Sequence, residues 1–146
     1  MALHHTNDLI FEIPDKFKDK TNHILSLTDE GPSEFSIVIN HHPIGEKESL
    51  QSYGDTMITE FQKALPEFTL IDKKIEFVAQ QDSLKLEYSW VQEGQTLHQV
   101  QISFFINDTP VKRRVLQLTG TSINRISSKW EKVLSRILSS MQLREK

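Results

Sequence analysis

The chain has 146 residues, 37% hydrophobic and 25% charged, a balance typical of soluble globular domains and far from that of disordered chains. It contains no cysteine, which excludes disulfide frameworks, thiolate metal sites and cysteine nucleophiles together. The net charge is −3, but residues 1–60 carry 11 acids against 4 bases while residues 111–146 carry 9 bases against 2 acids. That asymmetry predicts charge complementarity within or between subunits and argues against a nucleic-acid binder, which gathers its bases on one face of a basic protein.

A chain of this length buries roughly two-thirds of its unfolded surface, so a single domain spanning 1–146 is expected. Leu9 to Ile13 alternates weakly and stops at Pro14-Asp15, which predicts an edge strand and a turn. Thr21 to Thr28 alternates as a second strand, with Leu25 and Leu27 expected inward, and Gly31-Pro32 breaks the chain. Phe35, Ile37 and Ile39 then share one side of a third strand and Ser36, Val38 and Asn40 the other. Three strands in succession suggest a meander.

From Ser49 the apolar period lengthens: Leu50, Tyr53, Met57, Ile58, Phe61, Ala64 and Leu65 recur at helical spacing until Pro66 forbids continuation. Phe68 to Val78 returns to extended structure, and Leu84, Leu86, Tyr88 and Trp90 alternate with Ser83, Lys85, Glu87 and Ser89. Glu93-Gly94 predicts a hairpin into Thr96–Ile106, and residues 107–110 a turn into a strand from Val111 to Thr119. The last helix is expected to start with Ser128 capping and Glu131 reciprocating, burying Trp130, Val133, Leu134, Ile137, Leu138 and Met141. The result is an α+β class with an antiparallel sheet and two main helices.

Catalytic signatures are missing from the sequence. The five glycines form neither GxSxG, GxGxxG nor GxxxxGK. The six histidines, His4, His5, His23, His41, His42 and His98, show no HExxH-type spacing, and the neighbours His41 and His42 point to opposite faces of a strand. No catalytic residue, metal or cofactor is expected, and Trp90, Tyr88, Phe104, Trp130 and Phe61 are assigned to the core.

One face departs from an ordinary surface. Thr96–Asn107 holds no ionisable carboxylate, lysine or arginine. With Val100, Ile102 and Phe104 inward, the other side reads Leu97, Gln99, Gln101, Ser103 and Phe105, and the second strand adds Asn22, Ile24 and Ser26. Neutral hydrogen-bonding groups among aliphatics suit an apolar ligand with backbone groups to satisfy, such as a helix or extended peptide. The protein's own first helix or a second subunit would cover the face equally well.

The run Phe11-Glu12-Ile13-Pro14-Asp15, then Asn22-His23-Ile24-Leu25, Gly31-Pro32, Ala64-Leu65-Pro66-Glu67-Phe68, Tyr88-Ser89-Trp90 and Glu93-Gly94 resembles the Eag chaperone family, SciW-like members included. The resemblance implies a curved antiparallel sheet of the PsbP and Mog1 group, flanked by helices and assembled as a homodimer. Met1 to Asp8 shows no apolar run behind a basic start and no stretch is long enough to cross a bilayer, so a cytoplasmic protein is expected. It also implies a groove for the N-terminal transmembrane helices of type VI secretion effectors of the PAAR and Rhs kinds. Carried over by position, the groove residues are Ile24, Leu65, Leu97 and Gln101, with Gln99 beside them. Asn22 and Met57 stand where relatives carry another aliphatic or polar groove residue. No stable membrane insertion of the chaperone itself is implied. Two other readings stay open, a non-enzymatic envelope or phage-uptake protein on the same fold and a hydrolase.

Overall fold

The computed structural model describes residues 1–31 and 33–144; Pro32, half of the expected break, lies outside them. In chain order the elements are β1 (Ala2–His5), β2 (Ile10–Ile13), β3 (His23–Ser26), β4 (Phe35–Ile44), α1 (Leu50–Ala64), β5 (Thr69–Val78), β6 (Gln81–Gln92), β7 (Gln95–Thr109), β8 (Lys112–Ile123) and α2 (Ser128–Ser140). Six strands form one antiparallel sheet in the order β3-β4-β8-β7-β6-β5. One helix packs on each face, giving an α+β sheet with two apolar layers.

Under α2, Phe35, Ile37, Val100, Ile102, Phe104 and Leu118 meet Trp130 and Leu134. The Phe35 and Trp130 rings stack 5.2 Å apart, and the Trp130 indole N–H donates to Glu34 at 3.0 Å. Under α1, Tyr53, Leu84, Leu86, Tyr88 and Val115 are buried, with Met57, Phe61, Leu65, Trp90 and Phe105 packed around them. The two faces of β7 are thus both interior for much of its length, because alternation sends Ile102 to one helix and Ser103 to the other.

α1 begins where expected. Ser49 accepts from the Ser52 backbone N–H while the Ser52 hydroxyl accepts from Ser49 N–H, both at 3.0 Å, closing a capping box. Arg113 fastens the loop before it, donating to the carbonyls of Gly45 and Glu48 while its guanidinium lies 4.5 Å over the Phe105 ring. Two tight hairpins carry left-handed residues at both central positions, Ala79 and Gln80 in one, Glu93 and Gly94 in the other.

Several expectations are corrected. Leu9–Ile13 does not open a meander: Ile10–Ile13 pairs with β1 as a separate two-stranded hairpin. Leu25 and Leu27 do not point inward; both are 55% exposed, since β3 is a four-residue edge strand beyond the footprint of either helix. The turn after β7 falls at residues 110–111, because β7 runs to Thr109. α2 is capped by Ser127, whose side chain makes no cap bond, so the Ser128–Glu131 box does not form. Val133, on the outer side of α2, is 37% exposed.

Candidate functional site

The cross-strand register assembles the unusual face row by row. Leu86, Gln101, Thr119, Val38 and Ile24 lie side by side across β6, β7, β8, β4 and β3. The next row reads Tyr88, Gln99, Thr121, Ser36 and Ser26. Side chains alternate between faces along a strand, so both rows belong to the α1 side. α1 covers the β6 and β7 end of these rows. The β8, β4 and β3 end stays open, with Thr119, Thr121, Ser36 and Val38 half-buried and Ile24 69% exposed.

The dimensions of this strip are informative. The open part of the row, from Thr119 on β8 to Ile24 on β3, spans two strand spacings, about 10 Å, against an α-helix diameter of about 10–12 Å with side chains. Along the strands the two rows lie about 7 Å apart, and farther along β4 the residues on this face, His42 and Ile44, meet α1 itself. None of the residues that β8, β4 and β3 contribute to the two rows is ionisable.

Each predicted groove residue has a definite place. Leu97 pairs with Trp90 on the α1 face and is half-buried. Gln99 is fully engaged, accepting from the Trp90 indole at 2.8 Å and donating to the Thr121 hydroxyl at 2.9 Å. Gln101 is 3% exposed; its carbonyl accepts from Tyr88 Oη at 3.3 Å and its amide donates to Met57 Sδ at 3.6 Å. Met57 therefore sits above Gln101, at the edge where α1 gives way to the open strip. Leu65 caps α1 and is half-buried; the end of the helix is held to β6 by Val91 N–H donating to the Pro66 carbonyl at 2.9 Å. Ile24 shares the Gln101 row from the far edge. Asn22 precedes β3 and is exposed, outside the paired register. The floor residues supplied by β4 and β8, Val38, Ser36, Thr119 and Thr121, escaped sequence reading. Their alternation was visible, but the pairing of β4 with a strand some 75 residues later was not.

The opposite face is chemically different. Beside α2 two adjoining clefts, about 490 and 520 Å³, share Glu87 and Glu131. Titratable side chains line them: His98 Nε2 lies 3.2 Å from Glu87, and Glu76 meets Lys85 at 3.9 Å. Among the described residues no three histidines or carboxylates converge as a metal site. On the α1 side burial pushes the Tyr53 phenol up to about 12 and raises that of Tyr88 as well. Burial also lowers the His42 imidazole, 3.4 Å from Tyr53 Oη, with His41 adding repulsion. Desolvation thus favours the uncharged forms of Tyr53, Tyr88 and His42, while Lys73 reaches Asp55 of α1 at 2.6 Å. No helix among the described residues is long and apolar enough to cross a membrane.

The chain is similar to solved structures. A Pseudomonas aeruginosa protein of unknown function, described as a putative regulator, matches at 25% identity and a TM-score of 0.78, covering 100% of this chain and 99% of that one. LpqN of Mycobacterium tuberculosis, described as involved in cell envelope biogenesis, matches at 14% identity and a TM-score of 0.57 over 89% of this chain and 79% of that one, a likeness of fold alone. No curated protein matches. The family model that matches is DcrB, over residues 9–140, and on that extent the chain belongs to the DcrB family.

Proposed function

We propose that the protein is a cytoplasmic chaperone of the Eag kind, a homodimer with a PsbP- and Mog1-like sheet that shelters the N-terminal transmembrane helices of a type VI secretion effector before export. The single observation that carries this reading is the open strip beside α1, about one helix wide and floored by Ile24, Val38, Thr119 and Thr121 without an ionisable group. An exposed transmembrane helix pays roughly 25 cal/mol for each Å² of apolar surface in water and aggregates through it. The strip replaces lipid with aliphatic contact at Ile24, Leu65 and Leu97, and offers hydroxyl and amide groups where small polar residues punctuate such helices.

Co-expression of the chain with the N-terminal apolar region of an effector encoded beside it tests the proposal. Wild type keeps that region soluble and co-purifies with it, whereas Ile24→Asp and Leu97→Asp lose it to the pellet while remaining folded themselves. Protection undiminished in both variants would contradict the groove.

A further inference from the structure

Two amide donors converge on one thioether. Gln101 Nε2 and Gln117 Nε2 each approach Met57 Sδ at 3.6 Å. Sulfur is a weak acceptor, so both buried amides are poorly served by it; Gln117 also donates to Tyr53 Oη. Asn40 is the cross-strand partner of Gln117, and its buried Oδ1 accepts no hydrogen bond among the described residues. A buried polar atom without a partner carries a desolvation cost that a suitable guest group removes. Beneath the edge of α1 two glutamine amides thus share an inadequate acceptor on the half-buried, flexible Met57 side chain, and beside Gln117 lies one oxygen with no donor.

We propose that Met57 is a displaceable latch over a polar subsite formed by Gln101, Gln117 and Asn40, and that the subsite takes one uncharged amide or hydroxyl group carried by an otherwise apolar guest helix. This rests on the groove reading above and adds its selectivity. When Met57 swings aside, the guest's oxygen accepts from the glutamine amides and its N–H or O–H donates to Asn40. A carboxylate or ammonium is refused, because the subsite has no counter-ion and charge buried without one is strongly penalised. An all-aliphatic guest leaves the latch closed and binds only through the strip.

The test uses the full chain and two 20-residue Leu/Ala helical peptides with lysine-flanked ends, one bearing a central Asn and its twin an Ala, in mild detergent. The Asn peptide should bind about threefold to tenfold more tightly, the worth of one or so net hydrogen bonds. The side-chain NH2 resonances of Gln101 and Gln117 should move with it and not with the twin. Met57→Leu, which keeps the bulk and removes the sulfur, should widen the preference. Gln117→Leu should abolish it while leaving affinity for the Ala twin within twofold. Equal binding of the two peptides, unmoved glutamine resonances, or a preference that narrows in Met57→Leu overturns the subsite but leaves the groove standing. Failure of wild type to bind either peptide overturns both.

Discussion

Gly54 of α1 rests directly on Leu84 of β6: a Cβ at position 54 would lie 2.7 Å from Leu84 Cδ2. Glycine inside a helix costs about 1 kcal/mol against alanine, so its presence there reflects the closeness of helix and sheet. Leu84 is 1% exposed and has nowhere to retreat, and overpacking of this kind costs about 1–3 kcal/mol. Gly54→Ala is therefore expected to destabilise the protein by about 1 kcal/mol net of its helical gain, read as a lower urea midpoint. A raised midpoint would show that α1 rides higher on the sheet.

The β5–β6 hairpin offers the reverse case. Ala79 and Gln80 both hold positive φ, at 52° and 64°, a conformation that suits Asn and Gly. Replacing the pair with Asn-Gly should stabilise the fold by about 1 kcal/mol, a gain of several degrees in the thermal midpoint. No gain would mean that the turn relaxes freely in the native state.

Alkaline titration tests the neutral interior under α1. The chain has two tyrosines, both buried, with Tyr53 raised from 10.0 to about 12 and Tyr88 raised too, each by desolvation. A phenol whose folded pKa exceeds its unfolded one contributes stability fully below the unfolded value of 10.0 and loses it as pH climbs through the folded one. Tyrosinate absorbance at 295 nm should stay flat through pH 10 and 11 in the native protein and rise near pH 10 in urea. Half-maximal ionisation of the native protein at pH 10 would refute the burial.

Ile24 and Leu25 separate the two faces of one strand. Ile24 shares its face with Val38 on the α1 side, Leu25 with Ile37 on the α2 side, and both are mostly exposed. Each Asp substitution should change stability by no more than about 0.5 kcal/mol. Only Ile24→Asp should lose the apolar guest, while Leu25→Asp keeps it, as judged by co-purification. Equal loss in both would relocate the guest to the strand edge.

How far these features were legible in the sequence follows from how local their causes are. The start of α1 at Ser49, the Pro66 stop, the alternation of Leu84 to Trp90 and the Glu93-Gly94 turn act within a few residues, and all lie where the sequence pattern put them. The neutral side of β7 was also readable, with cover by the first helix among the readings it left open; how much of the face α1 takes was not. Whether Gln101 faces solvent or Met57 depends on α1 crossing back from 44 residues away. Leu25 and Leu27 show the converse error: their alternation is that of a half-buried strand, yet burial needs a helix overhead and none reaches β3. The Ala2–His5 strand was invisible because its partner, not its own pattern, makes it extended.

The position of β8 inside the sheet has a consequence for synthesis. β4 is flanked by β3 and β8, and β8 ends at Ile123, so most of the chain must leave the ribosome before β4 gains its main neighbour. Until then Phe35 and Ile37 wait unpaired with α2, whose Trp130 emerges later still. Such distant pairing slows folding and lengthens the time that sticky strands are on view. A protein whose proposed task is to shelter others therefore passes through a stage in which its own nascent chain is in need of the same protection.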